Sequence, residues 1–407
     1  MKQPLFFGWW QVVVTLLVQA VATGTLVYAY SVMVVPLATE FQSSRMLLML
    51  GITTMTLASG LLSPWLGAKL DAYSIKRFML LGAASLGTGF IALSYITQIW
   101  QMPVIYALFM ALSSLALGPL AVSTLLARWF SKRRGLAMGL AAMGTSIGGF
   151  LFPPLLQWMI DSFEWRMAFR LQGGVVLLIL LPLISLLACD RPESKGLHPD
   201  GDDAPPTTTA GAANRFASTK DVLKERNFWV IALVMGAMFS SYSMLLSNLA
   251  PFALDSGATA EQAAGLISLI ALFGLMGKLL FGTIADKVDL RAGLAGSSLL
   301  LTLGLLSFLN NDNFHFLVAG AVLLGIAAGG MLPVWGALMA QAFGVANYGR
   351  VMGAMNPVIM PFNLLSPPLA GAIYDQTGSY QMTFLLFAGL LCVAICLTAA
   401  IQLKQDN

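Results

Sequence analysis

One charged side chain lies within an otherwise apolar stretch of this chain. Residues 261–291 read EQAAGLISLIALFGLMGKLLFGTIADKVDLR, with Lys278 well inside the apolar run. A cation there costs at least about 2.5–3.5 kcal/mol to insert into a bilayer, so it commonly marks a substrate or ion pathway. Helical side chains lean toward the N-terminus of their own helix. Lys278 is therefore predicted to lean over the turn that carries Gly274, where no side chain fills the space. This is the geometry of an anion-binding position. The alternative is a structural bond from the ammonium to helix-end carbonyls, which Gly277 and Gly282 would also permit.

The composition indicates a protein that crosses a membrane several times. The 407 residues are 58% hydrophobic and 10% charged, whereas soluble domains carry roughly 25% charged residues. The net charge of +4 does not indicate nucleic acid, because the basic residues lie in short loops between apolar runs. Cys189, Cys392 and Cys396 are too few and too scattered for a disulfide framework or a metal site. We predict no metal, no cofactor and no nucleic-acid partner.

Windows of about 20 apolar residues predict twelve membrane spans. The predicted spans are 8–35, 45–67, 75–97, 102–128, 133–160, 166–189, 227–254, 261–285, 291–310, 314–341, 349–374 and 379–403. The long polar stretch between the sixth and seventh is rich in Asp, Pro, Thr and Ala. We therefore predict an all-α integral membrane protein with an N-terminal bundle (1–189), a linker containing a short surface helix (190–226) and a C-terminal bundle (227–407).

The basic residues also predict an orientation. With both termini in the cytoplasm, 18 of the 22 Lys and Arg residues are cytoplasmic and three, Arg45, Arg166 and Arg170, are outside. Cytoplasmic loops of membrane proteins are enriched in Lys and Arg. We therefore expect a multi-pass protein of the cytoplasmic (inner) membrane with both termini inside.

The two halves repeat a charged motif. Gly67-x3-Asp71-x4-Lys76 follows the second predicted span, and Gly282-x3-Asp286-x4-Arg291 follows the eighth, 215 residues later. Repeated bundles of this kind are how many secondary transporters build a substrate site near the midplane of the membrane. The repeat predicts two pseudo-symmetric six-helix bundles.

The segment GAKLDAYSIKR, residues 67–77, resembles the loop signature between helices two and three of the major facilitator superfamily. Gly67, Asp71, Lys76 and Arg77 match the pattern, whereas Ala72 and Ser74 depart from it. The resemblance implies a cytoplasmic latch in which Asp71 pairs with a neighbouring helix end. The residues implied as gating are Asp71, Lys76, Arg77, Arg133, Arg134, Asp286 and Arg291. The alternative is that these charges only anchor the loops.

Within that superfamily, the chain resembles the monocarboxylate transporter-like family and its bacterial oxalate/formate and lactate carriers. Phe7-Gly8-Trp9-Trp10 is similar to the family's start of helix one, and residues 129–139 (WFSKRRGLAMG) are similar to its entry into helix five. Lys278 stands where the family has its substrate arginine. A lysine offers a point charge in place of the bidentate arginine fork. Gly274 replaces the acid of eukaryotic members, and helix one lacks their lysine, so proton coupling by those groups is not implied.

The predicted function is secondary active transport of a small organic anion of monocarboxylate type, by alternating access and with proton symport. The acidic residues all lie in predicted loops or at span ends, so an arriving carboxylate would supply negative charge beside Lys278 and favour its protonated form. We therefore assign proton coupling to Lys278. The predicted substrate-binding residues are Lys278, Asn248, Tyr242, Asn356, Gln19, Tyr28, Trp335 and Asn363.

Two other transport functions stay open at this stage. One is proton-coupled export of drugs or metabolites, which the glycines at 135, 144, 148 and 149 partly suggest. The other is anion exchange without protons. No enzymatic activity is predicted, because His198 lies in the linker and His315 lies at a predicted outer loop, and neither belongs to a candidate catalytic group. We expect the lipid bilayer, the anion and protons to be the partners of a functional monomer.

Overall fold

The computed structural model describes residues 6–72, 74–130, 133–201, 219–284, 289–343 and 348–402. In those ranges the regular structure is helical and no strand occurs, so the predicted all-α class is confirmed. The chain divides into two compact units. Unit 1 comprises residues 1–43 and 50–208, and unit 2 comprises residues 44–49 and 209–407. The division into three sequence-based ranges, 1–189, 190–226 and 227–407, stays a prediction.

Unit 1 is built from nine α-helices with π-helical turns between some of them. They are α1 (Gly8–Thr23), a π turn (Gly24–Tyr28), α2 (Tyr30–Phe41), α3 (Arg45–Ala72, from residue 50 onward), α4 (Ile75–Leu93), α5 (Gln101–Ile105), a π turn (Tyr106–Met110), α6 (Ala111–Ala116), α7 (Pro119–Trp129), α8 (Arg134–Val175), a π turn (Val176–Leu180) and α9 (Leu181–Leu187). Two 3-10 turns follow, at Pro192–Lys195 and Pro199–Gly201.

Unit 2 begins with the first residues of α3 and continues after the linker. Its further helices are α10 (Thr219–Leu223), α11 (Arg226–Asp255), α12 (Ala260–Ile284), α13 (Leu290–Ser307), α14 (Phe314–Phe343), α15 (Tyr348–Thr377) and α16 (Gln381–Thr398). The short helix α10 lies where the sequence predicts a surface helix.

Ten helical stretches of the described chain are long and apolar enough to cross a membrane. One of them, Leu136–Leu187, has 52 residues and contains Glu164 at φ 66° and ψ 159°, which interrupts the helix. Two predicted spans, 133–160 and 166–189, fall within this stretch. The eleventh predicted span corresponds to α15, which has four internal prolines and is not among the ten. The predicted number of twelve membrane spans is reached only when the long stretch is counted as two spans and α15 is included.

The helices of unit 1 approach closely at glycines. A Cβ atom at Gly144 would collide with the carbonyl of Leu16, and one at Gly148 with the carbonyl of Ala20. These contacts bring the backbones of α1 and α8 together, as small residues do in membrane helix packing. Packing against α1 thus accounts for two of the glycines that suggested an exporter.

The charged repeat has a structural counterpart at two helix starts. The Ser74 hydroxyl accepts a hydrogen bond from the Arg77 backbone N–H at 3.2 Å and caps α4. The Asp289 carboxylate accepts one from the Arg291 backbone N–H at 2.9 Å and caps α13. Ser74 and Asp289 are 215 residues apart, which is the offset of the sequence repeat. Equivalent helices in the two halves therefore begin at equivalent positions.

Candidate functional site

Lys278 lies on the buried face of α12. Residues four and seven positions apart share one face of an α-helix, and Lys278 shares its face with Gly274 and Ala271, which are both buried. The opposite face carries Met276 and Leu279, which are 53% and 61% exposed. The lysine itself is half-buried. The cation therefore points into unit 2 and away from the exposed face of its helix.

The surroundings of Lys278 are set by a close crossing of α12 and α14. A Cβ atom at Gly329 would lie 2.6 Å from the backbone nitrogen of Lys278, and one at Gly277 would collide with the carbonyl of Ile326. The sequence predicts open space over Gly274, where an added Cβ would lie in ordinary van der Waals contact with the carbonyl oxygen of Gly325, at 3.6 Å. The α14 backbone therefore borders this space, whereas at Gly277 and Gly329 it packs directly against α12.

We expect Gly277→Ala to destabilise the protein, because the added methyl group meets the α14 backbone, which cannot rotate away. Gly265→Ala on the same helix is the matched control, since nothing lies within 4 Å of its added Cβ. Alanine favours a helix by about 1 kcal/mol over glycine, so the control should be neutral or slightly stabilising. Thermal unfolding of the two purified variants measures the difference, and equal melting temperatures would contradict the close crossing.

Two predicted ligands in unit 2 carry buried polar atoms that lack hydrogen-bond partners among the described residues. These atoms are Trp335 Nε1, a donor on α14, and Asn363 Oδ1, an acceptor on α15. Trp335 lies six residues beyond Gly329, or about 9 Å along the helix at 1.5 Å per residue. Leaving a buried donor or acceptor unmatched costs about 1–3 kcal/mol. Such atoms are candidates for partners that a ligand supplies.

Asn248 on α11 is already hydrogen-bonded on both sides. Its amide nitrogen donates to the carbonyl of Met244 at 2.9 Å, and its oxygen accepts from the hydroxyl of Tyr380 at 3.2 Å. Both Asn248 and Tyr380 are 2% exposed. One N–H of the Asn248 amide and one lone pair of its oxygen are not used by these two bonds.

The remaining predicted ligands differ in their exposure. Gln19, at 3% exposure, is buried on α1 in unit 1, and Tyr28 is half-buried at the end of the first π turn. In unit 2, Tyr242 is half-buried and Asn356 is exposed. The role of each of these residues stays a prediction.

A polar network around Arg45 was not predicted as functional from the sequence. The guanidinium of Arg45 donates to both oxygens of Asp255, at 2.6 and 2.8 Å, and to the hydroxyl of Tyr380 at 3.0 Å. Its Cζ lies 3.8 Å from the ring centroid of Tyr374. Asp375 accepts from the first backbone N–H groups of α3, those of Arg45 and Met46, at 3.1 Å each.

The Arg45 network continues to a predicted ligand, because Tyr380 also donates to Asn248. The Tyr380 hydroxyl thus accepts from Arg45 and donates to Asn248. The sequence could have indicated this network, because its charged residues are predicted to lie on the same side of the membrane. The topology predicted from the sequence places Arg45, Asp255 and Asp375 on the same, outer side of the membrane.

The predicted gating residues are only partly described. Lys76 donates its backbone N–H to Asp190 at 2.8 Å, and Arg133 donates its own to Asp200 at 3.2 Å. Arg291 pairs with Asp289 at 2.7 Å, and this hydrogen bond lowers the pKa of Asp289. Arg77 is exposed at the start of α4. The side chains of Asp71 and Arg134, and all of Asp286, lie outside the described residues.

The sequence profile of the Major Facilitator Superfamily matches residues 15–308 and 277–405. The chain belongs to the Major Facilitator Superfamily. This membership confirms the predicted fold class and the prediction of a membrane transporter that is not an enzyme.

Curated relatives of this superfamily member are monocarboxylate transporters. Monocarboxylate transporter 11 of Homo sapiens is 31% identical over 281 residues, which cover 65% of this chain and 56% of the relative. Monocarboxylate transporter 12 of Xenopus laevis is 26% identical over 346 residues, covering 79% of this chain and 73% of the relative. The chain thus spans little more than half of monocarboxylate transporter 11. These relatives confirm the resemblance to the monocarboxylate transporter family.

A solved structure supports the superfamily fold. The bacterial homolog of the human lysosomal transporter Spinster, in an inward-facing and occupied conformation, superposes with a TM-score of 0.76. The superposition covers 98% of this chain and 97% of that one at 14% sequence identity. At this identity the likeness concerns the fold alone.

Proposed function

We propose that this superfamily member carries a small organic anion of monocarboxylate type across the cytoplasmic membrane by alternating access, together with a proton. The observation that carries the proposal is the position of Lys278 on the buried face of α12, beside the glycine crossing with α14. A cation held at this depth favours an anionic substrate, because a carboxylate offsets part of the cost of burying the charge.

Two further observations support an anion as the substrate. The Trp335 indole N–H is buried without a partner among the described residues, and a carboxylate oxygen can accept a hydrogen bond from it. The relatives are named monocarboxylate transporters. Proton symport remains the finer part of the proposal, with Lys278 as the group that takes up the proton when the anion arrives.

The orientation is part of the same proposal. The charge bias of the loops favours both termini in the cytoplasm, and Arg45 and Arg166 pair with Asp255 and Glu40, acids that this topology also places outside. We propose a monomer as the functional unit, because this one chain carries both halves of the repeat.

Competition for uptake tests the substrate class. Proteoliposomes that contain the protein take up labelled pyruvate, and unlabelled lactate, benzoate, oxalate or the lipophilic cation tetraphenylphosphonium is added. We expect the monocarboxylates to compete and the cation to have no effect. Competition by the cation alone would replace this proposal with the exporter alternative. Uptake that requires an internal anion and ignores a pH gradient would instead assign anion exchange.

A further inference from the structure

A polar cavity lies in unit 1, at the end where α4 begins, α7 ends and the chain leaves α9. Its volume is about 420 Å³. Three of its lining residues are the cations Lys76, Arg128 and Arg191, against one carboxylate, Asp190. None of them belongs to the proposed substrate site. An excess of positive charge around a cavity of this size favours an anionic ligand.

The one carboxylate is engaged in holding a helix. Asp190 accepts the backbone N–H of Lys76 at 2.8 Å, in the first turn of α4. A carboxylate is stabilised there by the partial positive charge of the helix N-terminus. Asp190 is therefore partly neutralised by the backbone of α4, and Lys76 and Arg191 are the two cations of the lining that the test below addresses.

The wall of the cavity is held rigidly by buried side chains. Trp129 Nε1 donates to the carbonyl of Cys189 at 2.8 Å, and the Cys189 backbone N–H donates to Gln11 Oε1 at 2.9 Å. Gln11 Nε2 in turn donates to the carbonyl of Leu187 at 2.9 Å. Trp129 and Gln11 are both fully buried. The chain therefore leaves α9 along a fixed path, so the cavity is preorganised.

We propose that this cavity binds the phosphate group of an anionic phospholipid. Arginine and lysine are the side chains that bind phosphate oxygens, and Ser74 and Ser194 add hydroxyl groups to the same lining. Basic pockets between membrane helices at the cytoplasmic side bind anionic lipid headgroups. Leu186, two residues before the lining residue Ala188, is 81% exposed, so a surface suited to an acyl chain adjoins the cavity.

Cys189 provides a reporter inside the lining. Its thiol lies 2.9 Å from the Ser194 hydroxyl. The other two cysteines, Cys392 and Cys396, are exposed on α16 in unit 2. A Cys392→Ser, Cys396→Ser protein keeps Cys189 as its single thiol. It is reconstituted into nanodiscs of phosphatidylcholine with increasing phosphatidylglycerol, and the rate of Cys189 labelling by an uncharged maleimide is measured.

We expect phosphatidylglycerol to slow the labelling in a saturable manner, whereas millimolar inorganic phosphate in phosphatidylcholine nanodiscs does not. In Lys76→Gln and in Arg191→Gln, the lipid fraction for half-maximal protection should rise by about fivefold each. Lys195→Gln is the matched control, because this cation lies in the same segment and does not line the cavity. Each variant is compared with itself in phosphatidylcholine, which removes any direct effect of the substitution on thiol reactivity.

Two results would overturn the inference. One is protection that survives in both Lys76→Gln and Arg191→Gln, and the other is equal loss of protection in Lys195→Gln, which would indicate a diffuse surface effect. Protection by inorganic phosphate as strong as that by lipid would overturn the lipid source and assign the cavity to a soluble phosphate. Substrate uptake is not the readout, so the result does not depend on the proposed transport function.

Discussion

Proteoliposomes that carry Lys278→Gln are expected to exchange pyruvate at least about tenfold more slowly than wild type, since a charge-assisted hydrogen bond contributes about 1.5–3 kcal/mol. Glutamine keeps a donor and most of the volume but removes the charge. The measurement is counterflow of labelled pyruvate in the absence of a pH gradient. Counterflow reports substrate binding and translocation without requiring net proton movement.

Lys278→Arg separates anion binding from proton coupling. Arginine stays protonated in proteins and binds a carboxylate through two parallel hydrogen bonds. We therefore expect this variant to retain counterflow but to lose accumulation of pyruvate driven by an inward-acidic gradient. Wild type should show both activities, and the glutamine variant neither.

Each outcome of this pair bears on a different part of the proposal. Accumulation by Lys278→Gln under the gradient would contradict Lys278 as the proton carrier. Accumulation by Lys278→Arg would mean that another group in the protein takes up the proton, while the cation at position 278 still binds the anion. Normal counterflow by Lys278→Gln would remove Lys278 from the substrate site altogether.

The architecture was predictable from the sequence because it depends on local composition. Span positions follow from the length of apolar runs, and the repeat follows from charged motifs at equal spacing. α15 was predicted from an apolar window as the span 349–374, although this helix, which has four internal prolines, is not among the ten apolar stretches. The long stretch Leu136–Leu187 is interrupted at Glu164, which lies in the gap that the sequence analysis left between the spans 133–160 and 166–189.

The candidate site was only partly predictable because it depends on contacts between distant residues. The burial of Lys278 follows from its own helix, but the backbone that approaches Gly274 is that of Gly325, which is 51 residues away. A sequence shows that a glycine lacks a side chain and does not show which backbone approaches it. For the same reason, the sequence did not show the partners of Asn248. Its oxygen accepts a hydrogen bond from Tyr380, which lies 132 residues further along the chain.

The Arg45 network is the largest departure from the sequence-based expectations. Its hydrogen bonds join residues separated by 210 to 335 positions, and it fastens the first turn of α3 to α11 and α15 within unit 2. The later part of α3 belongs to unit 1. In the transport cycle that we propose, motion between the units would therefore act on this turn.

Arg45→Gln is expected to destabilise the protein by about 2–3 kcal/mol, because it leaves Asp255 without its bidentate partner in a partly buried place. Tyr380→Phe should cost less, since it removes one hydroxyl that joins Arg45 to Asn248. Arg166→Gln is the matched control. Its pair with Glu40 has a similar length, 2.7 Å, but the side chains are 35% and 43% exposed, against 16% and 35% for Arg45 and Asp255.

An exposed ion pair contributes at most about 1 kcal/mol, so Arg166→Gln should unfold close to wild type. Thermal unfolding of the three purified variants gives the order of their stabilities. Hydrogen–deuterium exchange of residues 45–49 shows whether the loss of stability in Arg45→Gln occurs in the first turn of α3. Asp375 accepts hydrogen bonds from two backbone N–H groups of that turn independently of the Arg45 side chain. In Arg45→Gln, the exchange of residues 45–49 should therefore rise without complete loss of protection. Equal stability of Arg45→Gln and Arg166→Gln would mean that solvent screens both pairs alike, and the first turn of α3 would then be held by Asp375 and packing alone.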